Sequence, residues 1–414
     1  FFLVTEPKAM SKKVCMILLR HAALDDRIYY KEARTLRNAG YEVHFLCRLR
    51  DGAFTDMGGR PVGYPDENGA WQYDGMTFHG IPKRIGILGK YKEYKDLVRV
   101  GLSLKADVYH CHESDIALSA AVKIKKVLGQ KTKFVFDSHE FWAGSWAYNV
   151  MGSHYRTIWP LTSIIEKNFL KHADYLITAD LPTAGALQLY DLNKKVAIIY
   201  NSPLIQLIDS SKRNKITLPL LNKGKIVLCH EGTLSYTRKI DIIVNIIDRL
   251  KDTCILYVIG GIKEPNDDLK SRIKKLKSEE HIIHIGWVPY ESVYSALQPA
   301  QIGLVLLMNH PNYVTATPNK LLNYMAVGIP VIVDDYPGLR DIVQRYKCGI
   351  LVNPSKLENY IPAIQYLIDH PDKAKAMGQR GKEAILNELS WEHQGEKLLK
   401  IYEELLNKKP FVVF

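Results

Sequence analysis

Short apolar runs alternate along this chain with longer stretches in which apolar residues recur at helical spacing. KKVCMILL (12–19) predicts a strand, DDRIYYKEARTLRNAG (25–40) a helix that ends at Gly40, and YEVHFLCR (41–48) the next strand. Parallel strands joined by crossover helices produce this alternation. We therefore expect an α/β fold throughout.

The alternation forms two series, which predict two domains. The first series continues through strands at 106–112, 132–140 and 173–180 and ends near 196–203. After a lysine-rich stretch, the second series runs through the apolar segments 225–232, 254–261, 281–288, 302–308, 330–335 and 350–354. We expect two Rossmann-like domains, 1–205 and 206–390, joined near 205–222, with a final helical segment 391–414 that crosses back to the first domain.

Basic residues exceed acidic ones, 56 to 44, which gives the 414-residue chain a formal net charge of +12. Such an excess suits an anionic ligand, an anionic membrane surface or nucleic acid. No zinc-finger, RNA-recognition or helix-turn-helix pattern accompanies it, so we expect no nucleic-acid partner. Lysines mixed with apolar residues at 89–105 and 123–133 fit either a basic surface that approaches a membrane or an ordinary solvated helix face.

The cysteines, the best apolar run and the first residues of the chain give expectations about the cellular compartment. All six cysteines are scattered singly without metal-ligand spacing, which indicates buried thiols in a reducing compartment. The best apolar run, Ile302 to Met308, is far shorter than the ~18 residues of a spanning helix. The opening FFLVTEPKA lacks signal-peptide features, and Met10 is a candidate start. We expect a cytoplasmic protein.

Two segments of the second series suit a phosphate group. In CHEGTLSYTRK, Gly232 lets the backbone approach a ligand, and Arg238 and Lys239 supply charge, although a solvated helix start would look the same. In TATPNKLLNYMAVGIPVIVDD, Pro318 presets a helix whose first turn holds Asn319 and Lys320. A cation at the positive end of a helix dipole favours a bound anion there, with a salt bridge to a neighbouring carboxylate as the alternative.

Histidines end two strands of the first series. His110, His112 and Glu113 close ADVYHCHE, and His139 closes FVFDSH. The His-x-His-Glu spacing allows a metal site or substrate positioning. Taken alone, His139 fits a structural histidine better than a catalytic one.

Several of these segments together resemble retaining glycosyltransferase family 4, in the branch that builds bacterial surface polysaccharides. The resemblance covers about residues 12–407, in matching order and spacing, and is carried by HAALDDRIYYKEARTLRNAGYEVHFL, ADVYHCHESD, FVFDSHE, TPNKLLNYMAVGIPVIVDD and MGQRGKEAILNELSWEHQGEKLLKIYEELL. It implies a GT-B fold, in which the first domain binds an acceptor, the second binds a nucleotide sugar, and catalysis occurs in the cleft. The product would enter cell-surface polysaccharide.

The resemblance also implies roles for individual residues. His139 would lie near the donor sugar, and Arg238 and Lys239 would assist departure of the diphosphate. Donor binding would fall to Gly232, Gly286, Trp287, Val288, Pro318, Asn319, Lys320, Leu321 and Asn323. Acceptor binding would fall to Asp25, Arg27, His112 and Glu113. The co-substrate would be a UDP-sugar ahead of a GDP-sugar, with no other cofactor and no metal, and the acceptor a saccharide or lipid-linked saccharide. Such an enzyme would be cytoplasmic and peripheral on the inner face of the plasma membrane.

The chain departs from the family at two positions. Thr315 and Asn323 stand where the family usually has two glutamates, the second of which binds the ribose hydroxyls. Asn323 can still donate and accept hydrogen bonds, without the strength of a charged acceptor. A non-catalytic sugar-nucleotide-binding subunit therefore stays an alternative, as does a nucleotide-sugar 2-epimerase or a phosphorylase of the same fold. A dehydrogenase is disfavoured because no Gly-x-Gly-x-x-Gly follows a strand.

Overall fold

The computed structural model describes residues 11–210 and 224–406, which form two compact units. Within the described residues, the N-terminal unit comprises 11–178, 184–199 and 395–406, and the C-terminal unit comprises 179–183, 200–210 and 224–394. Most of the predicted join at 205–222, the candidate start Met10 and the last part of 391–414 lie outside the described residues.

The N-terminal unit is built on an eight-stranded sheet with the order β10-β9-β8-β7-β1-β2-β6-β5. All neighbours in it are parallel except β5 and β6. The strands are β1 Lys13–Leu18, β2 Glu42–Leu49, β3 Phe54–Thr55, β4 Pro61–Gly63, β5 Ala70–Tyr73, β6 Met76–Pro82, β7 Val108–Cys111, β8 Lys133–Ser138, β9 Tyr175–Thr178 and β10 Val196–Ile198. Strands β3 and β4 form a separate antiparallel pair.

Helices cover the faces of this sheet. They are α1 Arg34–Asn38, α2 Gly86–Leu104, α3 Ile116–Leu128, α4 Trp142–Met151, α5 Trp159–Leu170 and α6 Leu181–Gln188, the last of which extends across a boundary between the units. The predicted helix at 25–40 begins as a π-helix, Ile28–Ala33, and continues as α1. Fully buried Ile17, Leu46 and Phe134 belong to the core beneath α2 and α3.

Strands β3 to β6 were missed in the sequence, from which no strand was predicted between 48 and 106. Their signal is the pair Asp74-Gly75, both with positive φ, which turns β5 into β6. Asp-Gly flanked by strand-forming residues is a strong hairpin signal. Trp71 and Phe78, whose rings lie 5.1 Å apart, pack across this hairpin.

The C-terminal unit contains a six-stranded parallel sheet with the order β13-β12-β11-β14-β15-β16. The strands are β11 Ile226–Glu231, β12 Cys254–Ile259, β13 Ile282–Gly286, β14 Ile302–Val305, β15 Val331–Asp334 and β16 Gly349–Val352. The helices are α7 Ile205–Ser210, α8 Ile240–Leu250, α9 Asp267–Ser278, α10 Val293–Leu297, α11 Pro311–Thr315, α12 Asn319–Ala326, α13 Pro337–Tyr346, α14 Tyr360–Asp369, α15 Pro371–Ala384 and α16 Trp391–Leu406, which continues into the N-terminal unit.

Close packing fixes helix α12 on this sheet. A Cβ added at Gly303 of β14 would lie 2.4 Å from the ring of Tyr324, so only glycine allows the helix this close. The Tyr324 hydroxyl donates to the carbonyl of Cys229 on β11, over 3.0 Å. The start of α12 is therefore held beside the end of β11.

Two expectations concern the whole chain. All six cysteines are buried and unpaired, as the sequence predicted. Among the described residues, no helix is both long enough and apolar enough to cross a membrane.

Candidate functional site

Each sheet contains a strand whose two neighbours are reached by connections that leave in opposite directions. In the C-terminal unit this strand is β11, between β12 and β14; in the N-terminal unit it is β1, between β2 and β7. Ligands of open parallel sheets bind at the carboxyl ends of such strands. Most of the predicted site residues lie there.

Three glycine-containing loops meet at the carboxyl ends of β11, β12 and β13. Gly232 has φ +90°, and its N–H donates to the carbonyl of Ile259 over 2.8 Å. A Cβ at Gly260 would lie 2.5 Å from the oxygen of Gly232. The N–H of Gly260 in turn donates to the carbonyl of Gly286, over 2.7 Å. The next residue, Trp287, is 75% exposed, so a large aromatic surface is available beside these loops.

Two cations lie together beside this edge. Lys320, in the first turn of α12, is only 7% exposed, and its Nζ lies 3.4 Å from Nε2 of His230. Burial, and next the nearby Arg238 guanidinium, lower the pKa of Lys320 to about 7. Arg238 lies over the ring of Tyr313, 4.6 Å from its centre, and its buried Nη1 has no hydrogen-bond partner among the described residues.

Lys239 differs from its neighbour Arg238. Its Nζ lies 2.9 Å from Oδ2 of Asp334 and donates to the hydroxyl of Tyr360 over 3.0 Å. Asp334 is fully buried at the end of β15, where it also accepts from the N–H of Leu307. The resemblance implied that Lys239 contacts a diphosphate. In the structure its ammonium group is the counter-ion of the buried Asp334 carboxylate.

Helix α12 begins directly after Pro318, as the sequence predicted. Pro318 occupies the N-cap and has no polar side-chain atom with which to cap the first-turn amides. The side chain of Leu321 is fully buried, and its N–H donates to the carbonyl of Pro318, so the expected ligand contact of Leu321 stays a prediction. Val288 is half-buried beside Trp287.

Asn323, one turn after Lys320, is held from two sides. Its Nδ2 donates to Oε1 of Glu231 over 2.7 Å, and the Tyr294 hydroxyl donates to its Oδ1 over 3.2 Å. Sequence analysis did not select Glu231, although it directly precedes Gly232. Thr315, at the other departure from the family, is the last residue of α11, and its hydroxyl donates to the carbonyls of Pro311 and Asn312 at the start of that helix.

In the N-terminal unit, two of the expected acceptor residues shape the loop after β1. Oε1 of Glu113 accepts from the backbone N–H groups of Leu19 and His21, over 2.8 and 3.0 Å. Asp25 accepts at Oδ1 from the N–H of Arg27 over 2.9 Å, and its Oδ2 lies 3.0 Å from Nδ1 of His21. Both carboxylates are therefore used to fix the backbone.

Arg27, expected to contact an acceptor, is a buried counter-ion in the structure. It is 3% exposed and donates through Nη2 to Asp137 over 2.8 Å and through Nη1 to the carbonyl of Ile199, also over 2.8 Å. Its Nε lies 2.9 Å from Oε1 of Glu32. Burial opposes ionisation of Asp137, but Arg27 together with His139 and His112 outweighs it, and the pKa of Asp137 falls well below its usual range. Burial raises the pKa of Glu32 well above its usual range.

His139 is the partly exposed end of a buried histidine series. Its Nε2 lies 3.5 Å from Oδ2 of Asp137 and 3.3 Å from Nδ1 of His112. Burial lowers the pKa of His112 well below its usual range. His112 is 2% exposed, whereas the side chain of His139 is 15% exposed, so His139 is the more accessible of the two. The expected acceptor contact of His112 stays a prediction. His110 bonds to the hydroxyl of Tyr402 over 2.9 Å.

Four of these groups lie close enough to hold a metal ion. Glu32, His110, His112 and Asp137 offer ligand atoms within 4.8 Å of one another. A cation there would have to displace the Arg27 guanidinium, which contacts both carboxylates. We therefore interpret the cluster as a buried ion-pair and histidine network.

Two family models match the chain. The one described as "Glycosyltransferase Family 4" matches residues 27–202, and the one described as "Glycosyl transferases group 1" matches 211–384. An uncharacterized glycosyltransferase of Methanocaldococcus jannaschii is 27% identical over 252 residues, which cover 59% of this chain and 62% of that protein. Alpha-D-kanosaminyltransferase of Streptomyces kanamyceticus is 22% identical over 149 residues, 36% of this chain and 37% of that protein. The match thus spans less than two thirds of these relatives.

Solved structures agree in fold. Sucrose-phosphate synthase from Thermosynechococcus elongatus superposes with a TM-score of 0.72 at 18% identity, covering 96% of this chain and 100% of that one. The Anabaena protein HepE in complex with UDP-glucose gives 0.67 at 12% identity, covering 95% and 99%.

Proposed function

The chain belongs to the group 1 glycosyltransferases of the GT-B fold, and from that premise we propose that it transfers a hexosyl group from a nucleoside diphosphate sugar to a saccharide or lipid-linked saccharide. We assign the nucleotide sugar to the C-terminal unit and the acceptor to the N-terminal unit. The transfer retains the anomeric configuration and serves cell-surface polysaccharide synthesis. A UDP-sugar is the proposed donor, since HepE was solved with UDP and with UDP-glucose.

The observation that carries this proposal is the pair of Lys320 and Arg238. Burial, and next the proximity of Arg238, lower the pKa of Lys320, and the negative charge of Glu231 only partly offsets them. Bringing two like charges together in a buried place is costly unless an anion joins them. A diphosphate supplies that counter-charge, and the same groups stabilise the charge that develops on it as it leaves.

The remaining groups of this edge suit the rest of a nucleotide. The exposed ring of Trp287 offers a surface on which a base can stack, and the glycine loops let backbone groups approach it closely. In the N-terminal unit, we assign His139 to the transfer step, because it is the exposed member of the histidine series and Asp137 orients it. Lys239 holds Asp334 in this scheme rather than the diphosphate.

Titration calorimetry with UDP, GDP, ADP and CMP tests the donor site. We expect micromolar binding of one nucleotide, lost in Arg238→Ala and in Lys320→Ala. Lys270→Ala, which removes an exposed lysine from α9, is the matched control and should leave binding unchanged. Absence of binding to every nucleotide, with and without acceptor lipid, would overturn the donor assignment.

A non-catalytic sugar-nucleotide-binding subunit is the second candidate, favoured by Thr315 and Asn323 in place of two acidic residues. The two candidates differ in turnover. A binding subunit releases no nucleotide from a nucleotide sugar in the presence of acceptor, whereas the transferase releases one nucleotide for each sugar transferred.

We also propose that the start of α2 contacts an anionic membrane. Ile85 and Ile87 are 88% exposed and Leu88 is 78% exposed, in a segment that also carries Lys83 and Arg84. Exposed apolar side chains beside basic ones are typical of interfacial contacts. Sedimentation with vesicles that contain anionic lipid should weaken in Ile87→Ser/Leu88→Ser. The control Leu189→Ser/Leu192→Ser changes two equally exposed leucines elsewhere and should sediment like the unchanged chain.

A further inference from the structure

A carboxylate lies unexpectedly close to the proposed diphosphate site. Glu231 ends β11, and its side chain accepts from Asn323 on α12 over 2.7 Å. Lys320 and Asn323 are three residues apart on that helix and so lie on the same face. A negative charge beside two cations weakens anion binding by repulsion. The same charge also favours the charged form of the Lys320 side chain.

The orientation of this carboxylate is closely controlled. The Tyr294 hydroxyl donates to Oδ1 of Asn323, which directs Nδ2 of the same amide toward Glu231. The backbone N–H of Glu231 donates to the hydroxyl of Tyr324 over 2.8 Å. Both the main chain and the side chain of Glu231 are thus tied to α12.

A nucleoside diphosphate carries vicinal hydroxyl groups a few bonds from its phosphates. A carboxylate has about four acceptor positions and bonds strongly to hydroxyl donors. In Rossmann-like folds an acidic side chain commonly accepts from the ribose hydroxyls of a nucleotide whose phosphates lie at a helix start. Here the helix start at Lys320 would correspond to the phosphate site, and Glu231 to the acidic side chain that accepts from the ribose.

Resting on the nucleotide site proposed above, we propose that Glu231, oriented by Asn323, accepts hydrogen bonds from the ribose hydroxyls of the donor nucleotide. Glu231 touches the ligand, and Asn323 is a positioning residue. The site then selects ribonucleotides against deoxyribonucleotides.

Calorimetric titration of the nucleotide that binds, and of its 2′-deoxy and 3′-deoxy counterparts, tests this assignment. The unchanged chain should prefer the ribonucleotide by about tenfold or more over at least one deoxy form, since a lost hydrogen bond to a charged group costs that much. Glu231→Gln should lower this preference to about threefold or less, and should bind the deoxy form at least as well, because a charge that repels the diphosphate is gone. Asn323→Ala should give an intermediate preference.

Controls separate this role from others. Glutamine can still accept from Asn323, so Glu231→Gln should melt like the unchanged chain. Glu279→Gln changes an exposed glutamate of the same unit and should leave the preference intact. If Glu231→Gln weakens binding of the nucleotide sugar but not of the free nucleotide, the hydroxyls belong to the transferred sugar and the ribose assignment is overturned. An unchanged ribose preference overturns it as well. Failure of every nucleotide to bind the unchanged chain instead removes the donor site itself.

Discussion

Buried charge is handled differently at the strand ends of the two units. In the N-terminal unit, Arg27 is bonded to Asp137, to Glu32 and to a backbone carbonyl, so its charge is satisfied by the protein. In the C-terminal unit, Lys320 and Arg238 lie close together, Nη1 of Arg238 has no hydrogen-bond partner among the described residues, and the charge of Glu231 only partly offsets the effects of burial and Arg238 on Lys320. A satisfied buried charge belongs to the framework, whereas an unsatisfied one indicates a ligand. The same distinction separates the adjacent residues Arg238 and Lys239.

Removing Arg27 should give the largest effect on stability. Arg27→Met leaves the buried Asp137 carboxylate without its guanidinium partner, which costs about 3–5 kcal/mol. Denaturant unfolding followed by fluorescence should show an early transition of the N-terminal unit. Arg60→Met, at a side chain that is 78% exposed, should shift it by less than about 0.5 kcal/mol. Equal shifts for both variants would contradict the buried ion-pair role.

Substitutions of Arg238 and Lys320 should mainly change nucleotide affinity, whereas substitution of Lys239 should mainly change stability. Arg238→Met and Lys320→Met each remove a charged donor and should lower nucleotide affinity about 10- to 100-fold with no loss of thermal stability. Lys239→Met should instead lower the melting temperature, because Asp334 loses its counter-ion, and should change affinity far less. Melting curves and calorimetry on the three variants measure this reversal. A drop in stability for Lys320→Met as large as for Lys239→Met would refute it.

A glutamate at position 323 should weaken the donor site. Asn323→Glu places a second carboxylate where Nδ2 of Asn323 now donates to Glu231, and the repulsion should reduce nucleotide affinity about tenfold. Glu231→Gln added to Asn323→Glu removes the repulsion and should recover most of the loss. Calorimetry on the two single variants and the double variant measures the coupling. A gain of affinity in Asn323→Glu alone would speak against it.

The smallest expected effect is a dependence on pH. Lys320 has a lowered pKa of about 7 in the free protein, and a bound diphosphate raises that pKa by favouring the charged form. Binding above pH 7 therefore takes up a proton, and affinity should fall by somewhat less than tenfold from pH 7 to pH 8. Titrations at pH 8 in buffers of different ionisation enthalpy count the proton. The number of protons taken up on binding should fall toward zero in Lys320→Met.

The same lowered pKa sets the sign of a stability effect in the free protein. Between about pH 7 and the ordinary lysine value, the unfolded chain binds a proton that the folded chain does not. This term makes folding more favourable as pH rises through that window. Below about pH 7 both states carry the proton and the contribution of Lys320 no longer changes.

Local patterns predicted most elements and the edge of each sheet at which the site lies. Strand β11 lies where the alternation predicted a strand, and α12 begins directly after Pro318, as predicted. Gly232 has a positive φ, a backbone conformation that favours glycine. The hairpin at Asp74-Gly75 was missed although its signal is local. The contacts observed for Arg27, His112, Lys239 and the side chain of Leu321 differ from the expected ones, because position at a strand end does not tell which partner a side chain finds.

The sequence by itself determined the α/β architecture, the family and the loops that carry the chemistry, since periodicity, turn residues and motifs act over a few positions. Only the tertiary structure decided which charges are satisfied. Arg27 meets Asp137 across 110 residues and Asn323 meets Glu231 across 92. The presence or absence of such a pair then has a large effect on stability and on ligand binding. A charge removed from water depends on the few groups that the fold places beside it.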